Sequence, residues 1–131
     1  MKPVFADTFY FQARVNPRDE YHERVLAWSR ESAAPLVTTE LVLIELANSL
    51  ARSRSRLLMR DFYAFLRRTA DVELIHPPRL ASAWSLYHQH DDKSWSLTDC
   101  FSFVVMRERN LHAALTNDRH FSQVGFVVIF G

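Results

Sequence analysis

Four acidic residues fall where the 131-residue chain changes from one element to the next: Asp7, Glu45, Asp99 and Asp118. Each has an ordinary structural job available. Asp7 ends the apolar run Pro3-Val4-Phe5-Ala6 and can cap a helix over Thr8-Phe9-Tyr10-Phe11. Asp99 closes Ser96-Leu97-Thr98-Asp99, a capping-box pattern before an apolar helix. Asp118 follows Ala113-Ala114-Leu115-Thr116 in a turn-rich TNDRHF. Glu45 lies inside TTELVLIELANSL, either at the edge of the apolar stripe or aimed into a pocket that holds cations. Burying it unpaired would cost several kcal/mol or shift its pKa. Taken together, the four suggest a different job. Converging carboxylates repel one another, and Mg²⁺ or Mn²⁺, hard cations that prefer oxygen ligands, relieve that repulsion. Such a centre polarises a phosphoryl oxygen, activates a bound water and stabilises the leaving oxygen of a phosphodiester.

The elements that must position these acids can be read coarsely. Pro3–Ala6, Leu36–Thr39, Val72–Ile75, Ala113–Thr116 and Phe126–Phe130 are short apolar strand patterns. Between them lie helical patterns: one opening at Pro17, one over Glu40–Arg52, one through Leu58, Phe62, Phe65 and Leu66, one through Leu80, Ala83, Trp84 and Tyr87, and Leu97–Glu108. The last is apolar almost all round, as a helix buried on several sides would be. Alternation of this kind predicts βαβ units and a mostly parallel sheet covered on both faces. Right-handed crossovers then gather the carboxyl ends of the strands on one rim, where ligands bind in open sheets. Asp7, Asp99 and Asp118 each fall after a strand or at a helix start and are expected on that rim, with Glu45 on a helix packed nearby.

Composition narrows the choice. No repeat or linker interrupts residues 1–131, so a single domain is expected. Sixteen Lys+Arg against fifteen Asp+Glu leave a formal charge of +1, so attraction to a polyanion must come from local segregation of charge. The two glycines, Gly125 and Gly131, leave no GxGxxG or GxxxxGK[ST] phosphate cradle. The single Cys100 excludes an internal disulfide or a CxxC site, and it reads as a small buried hydrophobe. No apolar run approaches a membrane span, and MKPVFAD has no signal-peptide core, so a cytoplasmic protein with no membrane association is expected.

The acids, in order and spacing, resemble the PIN domain: Asp7 after the first strand, ExxxxEL in the next long helix, SLTD opening a buried helix, and LTNDRHF near the end. The resemblance covers nearly the whole chain. It implies a three-layer α/β/α sandwich around a mostly parallel sheet of about five strands. It also implies a metal-dependent endoribonuclease, since PIN domains are ribonucleases and many bacterial members are VapC-type toxins of toxin–antitoxin pairs. Carried over by position, Asp7, Glu45, Asp99 and Asp118 form the catalytic quartet. Asp7, Asp99 and Asp118 bind Mg²⁺ or Mn²⁺, and the Thr116 hydroxyl assists. The implied partners are RNA, a cognate antitoxin and a second copy in a homodimer.

Basic residues complete the reading. Arg52, Arg54, Arg56, Arg60, Arg67 and Arg68 cluster with only Asp61 among them, a solvated hairpin or a phosphate-binding patch. Arg54 and Arg56 are the residues taken to bind RNA there, and the same patch suits an acidic antitoxin segment. Arg119 and His120, beside Asp118, are placed to meet substrate phosphate or the antitoxin. His88 and His90, two residues apart, read as loop and not as a metal pair. Phe9, Tyr10 and Phe11 read as core or a dimer surface. Two other classes compete with the nuclease. A phospho-receiver domain would need a lysine near its last strand, and only Lys2 and Lys93 exist. A non-catalytic RNA- or protein-binding module would keep the fold with structural acids.

Overall fold

The computed structural model describes residues 1–131, apart from the side chain of Ser53. Its elements are β1 (Val4–Ala6), α1 (Thr8–Val15), α2 (His22–Glu31), β2 (Leu36–Thr39), α3 (Glu40–Ser49) and α4 (Ser53–Thr69). β3 (Asp71–Glu73), α5 (Pro77–Gln89), α6 (Leu97–Glu108), β4 (Ala113–Leu115), α7 (Arg119–Gln123) and β5 (Val127–Val128) follow. The five strands are all parallel, in the order β3-β2-β1-β4-β5. The chain winds outward from β1 to β2 and β3, then crosses to the other side of β1 to lay down β4 and β5. The crevice between β1 and β4 is therefore the topological switch point, where open α/β sheets bind ligands at their carboxyl ends.

Pairing of Phe5 with Ala114 and of Ala6 with Leu115 brings Asp7 and Thr116 out of that crevice side by side. The sheet is short, so its grip comes from side chains. Phe5, Phe11, Phe101, Phe103, Phe121, Leu115 and Met106 are fully buried. Helix α6 buries Cys100, Phe101, Ser102, Phe103, Val105 and Met106, which is why its pattern is apolar on nearly every side. Tyr10 and Phe11 are core, stacked edge-on at 5.5 Å, and Phe9 packs on Tyr21 at 4.9 Å. Cys100 is buried, with its thiol pushed up to about 11 by desolvation. No helix is long and apolar enough to cross a membrane.

Several local expectations change, and the strand expected over Phe126–Phe130 shortens to Val127–Val128. The helix predicted to open at Pro17 begins at His22. Asn16 Oδ1 accepts from the Arg18 amide and Asp19 Oδ1 from the Tyr21 amide, and these local bonds hold the segment in turns. The strand expected over Val72–Ile75 runs Asp71–Glu73, because the Ile75 amide leaves the ladder to donate to Glu40 Oε1 at 2.7 Å. Pro77 and Pro78 occupy the first turn of α5 behind the N-cap His76.

Candidate active site

Asp7 has the extended backbone of an N-cap, but its side chain caps nothing. Its carboxylate turns instead into the β1–β4 crevice and accepts from Thr116 Oγ1 at 3.0 Å, with Asp7 only 7% exposed. The same Thr116 oxygen accepts from the Asp118 amide at 3.1 Å, so one buried hydroxyl ties Asp7 to the start of α7. Desolvation, and then the charge of Asp99, push the Asp7 carboxyl up from 3.8 to about 7, with Glu45 adding a smaller push. The Thr8 amide and the Thr116 hydroxyl oppose that rise. A buried carboxyl kept near neutrality by its neighbours is a feature of functional sites.

Asp99 performs the capping-box role expected of it. Ser96 Oγ accepts from the Asp99 amide at 3.0 Å, and Asp99 Oδ2 accepts from the Ser96 amide at 3.2 Å. It also faces the crevice: burial, and then the charge of Asp118, raise its pKa. Asp118 caps α7 through Oδ1, which accepts from the His120 amide at 2.9 Å, and its Oδ2 lies 3.3 Å from His120 Nδ1. Both acids therefore perform the capping roles expected of them while lying close to each other. Atoms of Asp99, Asp118 and His120 lie within 4.8 Å of one another.

Glu45 sits at the edge of the α3 stripe and is exposed. It is held there by Thr8, whose Oγ1 donates to Glu45 Oε1 at 2.6 Å. Sequence reasoning gives Thr8 no role, and it places His120 toward substrate phosphate or an antitoxin and not among the acids. A Thr directly after Asp7 was the available signal for the first. Arg119 is exposed at the first position of α7, beside Asp118. Arg54 and Arg56 are exposed in the first turns of α4 and make no hydrogen bond or ion pair with the acids among the described residues. A cleft of about 330 Å³ between α3 and α4, lined by Ala47, Leu50, Arg56, Met59, Arg60 and Tyr63, lies beside the arginines and holds none of the four acids.

Among the described residues no lysine or arginine pairs with Asp7, Glu45, Asp99 or Asp118; the basic group in contact is His120. Two carboxyls raised by burial and by neighbouring carboxylates, Asp7 by Asp99 and Asp99 by Asp118, with no lysine or arginine paired to them among the described residues, fit a divalent cation. The Thr116 link has a direct test. Thr116→Val keeps the shape but removes the donor to Asp7, so the pH at which Asp7 ionises should rise further, at a stability cost of about 1–3 kcal/mol. The Asp7 carboxyl carbon shift in an NMR titration reads this; an unchanged or lower midpoint would mean that Thr116 does not stabilise the ionised form.

Comparison with known proteins converges on one group. The family model described as PIN domain matches residues 4–127. The 23S rRNA-specific endonuclease VapC20 of Mycobacterium tuberculosis is 28% identical over 127 residues, covering 96% of this chain and 97% of that one. The crystal structure of the same toxin, described as cleaving the sarcin-ricin loop, superposes with a TM-score of 0.87 at 27% identity, covering 96% of this chain and 98% of that one. The FitAcB structure from Neisseria gonorrhoeae superposes at 0.72 with 17% identity, covering 98% of this chain and 96% of that one, a likeness of fold alone.

Proposed function

The chain belongs to the PIN domain family, and from that premise we propose that it is a divalent-metal-dependent endoribonuclease acting as the toxin of a toxin–antitoxin pair. The observation that carries this reading is that Asp99 lies close to Asp118 and that its charge acts on the buried Asp7, with no lysine or arginine paired to any of them among the described residues. Asp7, Asp99 and Asp118 would hold Mg²⁺ or Mn²⁺. Bound there, the cation supplies a polarised phosphoryl oxygen and a water of lowered pKa.

The chain's own groups do the rest. Glu45, oriented by Thr8, accepts a hydrogen bond from the incoming water on the open side of the site. Asp7, whose carboxyl burial and Asp99 push up, would be held ionised by the cation. Thr116 holds Asp7 and the start of α7 in register, and Arg119 reaches a substrate phosphate from α7. The likeness to VapC20 supports structured ribosomal RNA as the substrate class and the cytoplasm as its place of action. A homodimer and a cognate antitoxin are the expected protein partners, the antitoxin laying an acidic amphipathic segment over the α3–α4 cleft and its arginine rim.

Ribosomal RNA, transfer RNA and a single-stranded oligonucleotide, each incubated with the purified protein and Mn²⁺, test the reading. A discrete cut in the ribosomal RNA is expected. All three left intact by a protein that binds the metal would end it. The arginines of α4 have a separate test. Arg54→Ala with Arg56→Ala should weaken RNA binding and reduce its salt slope by about 2, one for each guanidinium withdrawn from a phosphate. An unchanged slope would remove α4 from the RNA interface.

A further inference from the structure

The acids at the switch point share their space with an imidazole. His120 Nδ1 stands 3.2 Å from Asp99 Oδ2 and 3.3 Å from Asp118 Oδ2, and its side chain is 21% exposed. Two separate elements place it. The Asp118 cap fixes the first turn of α7 through the His120 amide, and Ser96 fixes Asp99 at the start of α6. Next to His120, Phe121 is fully buried against Phe103, so α7 cannot easily turn its second residue away. Two ligand atoms bonded at right angles to one cation at about 2.1 Å stand about 3 Å apart. The spacing of Nδ1 from each carboxylate oxygen is close to that value.

Resting on the metal reading above, we propose that His120 Nδ1 is a ligand of the same cation as Asp99 and Asp118, making this a mixed nitrogen–oxygen site that selects Mn²⁺ over Mg²⁺. Mg²⁺ holds its waters tightly and favours an all-oxygen shell, whereas a first-row transition ion accepts imidazole nitrogen readily. His120 then acts on metal choice, and the carboxylates supply the oxygen ligands.

Pulsed electron paramagnetic resonance of Mn²⁺ bound to the full chain reads ligation without any turnover. Nitrogen hyperfine coupling is expected in the wild type, altered by ¹⁵N-histidine labelling and lost in His120→Ala. Titration calorimetry should show Mn²⁺ affinity falling about tenfold or more in His120→Ala while Mg²⁺ affinity changes less than about threefold. The labelled wild type decides the question even if the variant folds poorly. Mn²⁺ binding that disappears in Asp99→Asn but carries no nitrogen coupling overturns the inference and leaves the metal reading standing. No Mn²⁺ binding by the wild type overturns both.

Discussion

Replacing Asp7 with asparagine should make the metal-free protein more stable at pH 8 while lowering RNA cleavage by about 10²–10⁴-fold. The sign follows from burial. The folded state holds the Asp7 proton up to about 7, whereas the unfolded chain releases it near 3.8. Between those values the folded state binds more protons, so stability falls as pH rises across the window and is level above it. Each unit of that shift corresponds to about 1.4 kcal/mol, giving a penalty of a few kcal/mol at pH 8 that a neutral amide does not carry. Asn keeps an oxygen to accept from Thr116. Thermal unfolding in EDTA should therefore show Asp7→Asn several degrees above the wild type at pH 8, the two converging near pH 4. Mn²⁺ should raise the wild-type midpoint and move the variant little. A variant less stable than the wild type at both pH values would show that the Asp7 carboxylate is a stabilising structural group.

The second large effect is expected away from the acids. Phe121 is fully buried, edge-on to Phe103 at 5.0 Å and 6.2 Å from Phe5. Phe121→Ala should cost about 3–5 kcal/mol. Helix α7 spans only five residues and carries Asp118 at its cap and His120 in its first turn. Its other anchor is Trp95 Nε1, which donates to Gln123 Oε1 at 2.8 Å. Loss of Phe121 should therefore also weaken Mn²⁺ binding under conditions where the variant remains folded. Denaturant unfolding paired with metal titration separates the two effects. Intact metal affinity in a destabilised variant would mean that α7 is held in place without Phe121.

Local chemistry made much of the fold legible. The Thr38-Thr39 segment ends β2 and caps α3, with Thr39 Oγ1 accepting from the Val42 amide. The Ser96–Asp99 box starts α6 where its pattern placed it, and the apolar wrap of that helix reports its burial. These features depend on residues a few positions apart. The strand order was not legible in the same way. That β1 lies between β2 and β4 is a long-range fact, and it sets Asp7 beside Thr116 and within reach of the charge of Asp99. The Thr8–Glu45 bond spans 37 residues and has no local signature. Helix α7 is too short to show a period, so His120 gave no sign that it would stand between Asp99 and Asp118. The turn at Asn16–Asp19 escaped for a different reason. Proline followed by acids opens helices and turns alike, and only the side-chain bonds of Asn16 and Asp19 distinguish them.

Single-turnover cleavage of ribosomal RNA by wild type and Asp99→Asn, in Mn²⁺ and in EDTA, puts a carboxylate-held metal nuclease to its sharpest test. Asn at position 99 keeps an oxygen for the Ser96 amide and removes the charge a cation needs. One discrete cut by the wild type in Mn²⁺ is expected, with loss of that cut both in EDTA and in the variant. Cleavage that persists in EDTA, or in Asp99→Asn at the wild-type rate, would contradict it.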